Sequence, residues 1–136
     1  MVNPMELTGK RILFIGDSSS LDNAIFKQLL ALGGSVTICN GLTVNDVEST
    51  LKDLAKNNGP FDGIVYGVVH SDFKPLQFVK PELIDSLMHD NYGLFIEVMR
   101  VIKKSRGIAN GASIVAMSSI SSIRAMKAKM AFCSSK

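Results

Sequence analysis

Arg11-Ile12-Leu13-Phe14-Ile15-Gly16-Asp17-Ser18-Ser19-Ser20-Leu21 is the stretch that decides the fold. Its apolar run, unbroken from Ile12 to Ile15, suits a strand buried on both faces of a sheet, and Gly16 ends it. Asp17 to Ser20 then offers four helix N-caps in a row. Leu21, Ala24, Ile25, Gln28 and Leu29 recur at helical spacing until Gly33-Gly34 stops them. Strand, tight turn and helix therefore follow one another directly.

The rest of the chain repeats this alternation. Val36-Thr37-Ile38-Cys39 is a second short strand, and Asn45 with Glu48 predicts a capping-box start for a helix bearing Val47, Leu51, Leu54 and Ala55. Asn58-Gly59-Pro60 ends that helix, and Gly63 to Val69 is a third buried strand. Pro81 suits the first residue of a helix running to about Arg106, with a break near His89 and Gly107 as its stop. Ala112 to Met117 reads as a strand, Ser118 to Lys129 as a loop, and Ala131 onward as the start of a further element. The expected architecture is α/β, a doubly wound parallel sheet with its ligand site at the carboxyl ends of the strands.

With 136 residues, 46% of them hydrophobic and 20% charged, the chain is expected to form one folded domain, residues 1–136. A formal charge of +3 is too small to argue for nucleic acid. Arg124, Lys127, Lys129 and Lys136 cluster without the interleaved aromatics that stack on bases, which makes that segment a solvated loop. Cys39 and Cys133 have neither disulfide nor zinc spacing, no metal site is expected, and reduced thiols fit a cytoplasmic location. The N-terminus lacks the apolar stretch of a signal peptide, and the longest apolar run, Gly63 to Val69, is too short to span a bilayer.

In order and spacing these residues resemble the short-chain dehydrogenase/reductase family over almost the whole chain. Leu7 to Asp22 is similar to the family's opening strand and its Thr-Gly-x-x-x-Gly-x-Gly turn, and Tyr66-Gly67-Val68-Val69 stands at its Asn-Asn-Ala-Gly. Asn91 stands at its helix asparagine, and Ser119, Phe132 and Lys136 at its Ser and Tyr-x-x-x-Lys. The resemblance implies a Rossmann-like sheet, a nicotinamide dinucleotide (NAD or NADP), and hydride transfer to or from a small carbonyl or alcohol. Reactions of that kind are seen in 3-oxoacyl carrier-protein reductases and sugar-pathway reductases. It places Gly16, Ser18, Ser19, Ser20 and Leu21 at the pyrophosphate and Lys136 at the nicotinamide ribose. It also implies Ser119 on the substrate carbonyl, Asn91 holding a proton-relay water, and Lys136 lowering the pKa of the residue at position 132.

The departures from the family pattern carry as much information. Of the three glycines only Gly16 is kept; Ser20 and Asp22 replace the others, and Ile15 stands where the family has Thr. Glycines let the backbone approach a pyrophosphate, and a carboxylate at Asp22 would repel it. The hydroxyls of Ser18, Ser19 and Ser20 could donate to a phosphate or simply cap the helix, and the sequence leaves both readings open. Cys39-Asn40-Gly41 supplies neither an acidic nor a basic residue for the adenosine ribose, so no preference between NAD and NADP can be read.

The interval from Ile38 to Ile64 holds one helical pattern where the family has helix, strand and helix, so one helix and one edge strand are missing. Phe132 has no proton to transfer, and a positioned acid or base is typically worth about a hundredfold to ten-thousandfold in rate. His70, alone at a strand end, reads as a polar loop residue. The chain ends at Lys136, where the family continues, which leaves the helix with Leu94, Ile96, Val98, Met99 and Val101 an uncovered apolar face. Self-association through the helix around residues 83–106 is the expected consequence. Two functions remain: an NAD(P)-dependent oxidoreductase with impaired activity, or a non-catalytic homologue that binds a nucleotide or a protein.

Overall fold

The computed structural model describes residues 3–136. Four parallel strands form one sheet: β1 (Arg11–Gly16), β2 (Ser35–Asn40), β3 (Phe61–Tyr66) and β4 (Ile108–Ala116), in the order β2-β1-β3-β4. Chain order reverses beside β1, because α1 (Ser20–Ala31) carries the chain outward to β2 and α2 (Val47–Asn58) carries it back across to β3. Right-handed crossovers in opposite directions put these helices on opposite faces. The expected doubly wound sheet is therefore present, and only one helix lies between β2 and β3.

The core lies on the α2 face. Leu13 and Ile15 of β1 and Ile64 and Tyr66 of β3 point there, packed with Leu51 of α2 and with Leu94, Val98, Val101 and Ile102 of α4 (Leu94–Lys104). The opposite face is covered less fully: a groove of about 330 Å³ lined by Leu7, Ile12, Leu29, Val65 and Val115 opens between α1 and β4.

Several expectations shift by a few residues, each for a local reason. Asn45 and Glu48 make no capping box; Asp46 precedes α2 and accepts from the Thr43 amide (2.7 Å) and hydroxyl (2.9 Å), forming a turn. Glu48 instead pairs with Lys52 at 2.7 Å and faces Arg100 and Lys104 of α4. β3 runs from Phe61 to Tyr66, so Gly67 to Val69 already belong to the loop beyond it. Pro81 does open α3 (Pro81–Met88), and the break near His89 is a π-helical turn, His89–Gly93, leading into α4.

Gly107 does not itself turn the chain. Arg106 takes the left-handed conformation (φ 55°) after α4, while the Gly107 amide reaches back to Ile102 O at 2.9 Å. Gly107 is required there by space, because a Cβ would lie 2.7 Å from both Ala55 Cβ and Ile102 Cδ1. β4 begins at Ile108, earlier than expected, with an irregular pairing near Gly111 (φ 75°). The expected loop after β4 contains a 3-10 turn, Ile120–Ser122, and the final element is α5 (Met130–Ser134).

The apolar helix face also differs from expectation. Leu94, Val98 and Val101 are buried in the core and Met99 is half-buried against it. The exposed stripe is Ile84, Met88, Tyr92 and Ile96, spaced four residues apart along α3, the π turn and α4.

Candidate functional site

Ligands of doubly wound sheets bind outside the carboxyl ends of the strands where chain order reverses, here between β1 and β3. Two of the chain's own carboxylates, Asp17 and Asp22, line that crevice. Asp17 Oδ2 accepts from the Val69 amide at 3.1 Å and so ties the end of β1 to the loop after β3. Ser19 is the N-cap of α1; its Oγ accepts from the Asp22 amide at 3.1 Å. Asp22 Oδ2 returns to accept from the Ser19 amide at 3.2 Å and the Asp17 amide at 2.9 Å.

Asp22 is only 3% exposed, and its Oδ1 has no hydrogen-bond partner among the described residues. A Cβ on Gly16 would lie 2.7 Å from Asp22 Oδ2, and one on Gly67 would lie 2.8 Å from Oδ1. Of the serines, Ser19 caps the helix, Ser18 holds a left-handed conformation (φ 62°), and Ser20 and Leu21 are exposed in the first turn of α1.

A second group of residues meets at the ends of β3 and β4. A cavity of about 150 Å³ is lined by Tyr66, Asn91, Tyr92, Ser118, Ser135 and Lys136, with Phe95, Ala116 and Met117 completing its wall. Asn91 organises it from the π turn, a distortion that recurs at functional sites. Its Oδ1 accepts from the His70 amide (2.8 Å), and its Nδ2 donates to His70 O (2.7 Å) and to Ser135 Oγ (2.8 Å). Both Nδ2 protons are thus used, and Asn91 clamps the loop after β3 to α5. Lys136 Nζ donates to Met117 O at 3.3 Å, and burial holds its ammonium below the ordinary lysine value.

Asn91 and Lys136 thus line one cavity, whereas Ser119 and Phe132 do not. Ser119 Oγ accepts from the Ser121 amide at 3.1 Å and starts the 3-10 turn, and its neighbour Ser118 faces Lys136 instead. Phe132 is 5% exposed, with the Lys129 ammonium 5.4 Å from its ring centre.

Tyr66 and Tyr92 lack the sequence spacing to Lys136 but reach the same cavity through the fold. Position was the available signal for Tyr66: it alternates with Ile64 on the core face and ends its strand. Its ring packs edge-on against Phe95 (5.1 Å between centres), and its buried hydroxyl has no partner among the described residues. Burial, reinforced by Asp17 and Asp90, pushes the phenol far above the usual tyrosine value near 10. A folded-state pKa raised in this way means stability is lost as the pH climbs past the unfolded phenol's value near 10. Tyr66→Phe should lack that alkaline loss and be more stable by about 1 kcal/mol at neutral pH, read from urea curves. A less stable variant would show that the hydroxyl is satisfied.

A third cavity, of about 290 Å³, lies across Asp17, Thr43, His70, His89, Asp90 and Leu94. No group of three or more His, Cys, Asp or Glu among the described residues could hold a metal ion, and no described helix is long and apolar enough to cross a membrane.

No protein-family model matches the sequence, and no curated protein matches it. Solved structures do match. FabI from Alistipes finegoldii superposes with a TM-score of 0.85 at 17% identity, over 97% of this chain and 63% of its own. A short-chain dehydrogenase/reductase of Serratia marcescens gives 0.82 at 15%, over 95% and 66%. A short chain dehydrogenase of Shigella flexneri complexed with NADP gives 0.81 at 15%, over 98% and 69%. The fold is that of the short-chain dehydrogenases/reductases. The chain spans about two-thirds of the length of these structures. Within the short-chain dehydrogenase fold, the crevice holding Asp17 and Asp22 is the topological switch point, and the cavity of Asn91 and Lys136 lies beyond β3 and β4.

Proposed function

We propose that this chain is a domain of the short-chain dehydrogenase/reductase family in which NAD(P)-dependent hydride transfer between carbonyl and alcohol is impaired or absent. The observation that carries this reading is position 132. The proton-transferring Tyr of the resemblance is Phe132 here, buried beside Lys129 and outside the wall of the Lys136 cavity. Lys136 and Ser118 supply polar contacts to a small ligand, and the side chain at position 132 lacks the phenol of the family pattern. Tyr66, the buried phenol in that wall, is held above the ordinary tyrosine value by burial, away from the near-neutral range that suits a general acid or base.

The cofactor implied by the fold is NAD or NADP. Its pyrophosphate fits this turn poorly, because the Asp17 and Ser19 amides already donate to Asp22 and the carboxylate adds a negative charge at the helix start. The test is turnover of NADH and NADPH over a panel of small aldehydes and ketones, with the native chain and with Phe132→Tyr. Rates at the buffer background are expected from the native chain; turnover by it would overturn the reading. Rates that rise only in Phe132→Tyr would show that the remaining site is intact and that position 132 is where activity was lost.

The second reading, a non-catalytic interaction domain of the cytoplasm, is favoured by the exposed stripe Ile84, Met88, Tyr92 and Ile96. Burying such a stripe against a second copy removes apolar surface from water. Sedimentation velocity should show a dimer that Ile96→Asp converts to monomer; a native monomer at tens of micromolar would contradict self-association. Neither nucleic acid nor a membrane is an expected partner.

A further inference from the structure

We infer that Asp22 is the specificity-determining residue of the β1–α1 turn: its carboxylate is a built-in occupant of the anion site and excludes dinucleotide phosphates. This inference rests on the reading of the domain given above. The start of α1 has orphan amides and the positive end of the helix dipole, which together favour a bound anion. In this chain the anion is covalently supplied. Asp22 Oδ2 takes the Asp17 and Ser19 amides, and Ser19 Oγ takes the amide of Asp22 itself.

Two glycines border this side chain, which takes part of the space a Cβ would need. A Cβ on Gly16 would lie 2.7 Å from Asp22 Oδ2 and 2.8 Å from Phe14 Cε1, and one on Gly67 would lie 2.6 Å from Met117 Cε and 2.8 Å from Asp22 Oδ1. The clearance that glycine gives at the switch point is thus taken up by Asp22 together with Phe14 and Met117. The carboxylate is buried and enters no salt bridge among the described residues, so no cation offsets its charge. An arriving pyrophosphate would find the dipole already answered and a like charge within the turn.

The experiment is calorimetric titration of NADPH and of ADP into the full chain, native, Asp22→Gly and Asp22→Asn, with circular dichroism confirming that each variant is folded. The native chain should show no saturable binding at millimolar ligand. Asp22→Gly should bind both ligands with an affinity increased about tenfold or more, since it removes charge and bulk. Asp22→Asn, which keeps the shape and removes the charge, should fall between them and covers the case in which the glycine variant does not fold. Native binding as tight as that of the variants, or folded variants that bind no better than the native chain, would overturn the inference. Silent variants beside an inactive native chain would sink this inference alone, whereas native turnover with NADPH would sink the functional reading beneath it.

Discussion

Gly16→Ala should lower stability by about 2 kcal/mol, and Asp22→Gly in the same molecule should restore part of the loss. The new methyl would lie 2.7 Å from Asp22 Oδ2 and 2.8 Å from Phe14 Cε1, in a turn where the carboxylate is held by two amides and has little freedom to retreat. Asp22→Gly alone costs the capping box, worth about 1 kcal/mol. Because the two residues share one space, their effects should be non-additive, with a coupling of about 1 kcal/mol or more in a double-mutant cycle from urea unfolding. Effects that add within about 0.5 kcal/mol would show that Gly16 is not the seat of Asp22.

Asn91→Ala is the other large effect expected. Its amide holds the His70 backbone from both sides and Ser135 from a third, linking the loop after β3 to α5. Truncation removes all three bonds and leaves Ser135 Oγ with only its contact to Phe132 O. A loss of about 2–3 kcal/mol follows from the unmade bonds and the space left behind. Hydrogen exchange should localise it: the His70 amide should lose protection far more than Leu13 or Ile64 in the sheet. A loss below about 0.5 kcal/mol, or equal deprotection everywhere, would contradict the clamp. The resemblance assigned Asn91 to a relay water. In the structure its side-chain protons go to His70 O and Ser135 Oγ.

These two residues also show what the sequence could and could not convey. The β1–α1 unit was legible because its signals are local: an unbroken apolar run, a row of capping residues, then helical spacing to Gly33. The identity of the cap was within reach as well, since Ser19 and Asp22 have the capping-box separation. The second capping box failed because Asn45 competed with a tighter Thr43–Asp46 turn, and pattern alone cannot rank two such neighbours.

Gly107 looked like a helix stop on composition, yet Arg106 makes the turn and Gly107 is small so that α2 can approach. The Asn91 contacts to His70 and Ser135 join residues 21 and 44 positions apart, and periodicity has no access to such pairs. Tyr66 lies 70 positions before Lys136 in sequence, and the end of a parallel strand brings it to the same cavity.

On the proposed reading, Asp22 occupies the turn where a dinucleotide phosphate would otherwise sit. Thermal unfolding of the native chain with rising NADH or NADPH tests this most directly. A ligand bound only by the folded state adds about 2.7 kcal/mol at a hundred times its Kd, a shift of several degrees for a domain of this size. A constant Tm is expected up to millimolar concentrations of either dinucleotide. A saturable rise with NADH or NADPH would contradict it, showing that Gly16 and its serines still receive a pyrophosphate with Asp22 in place.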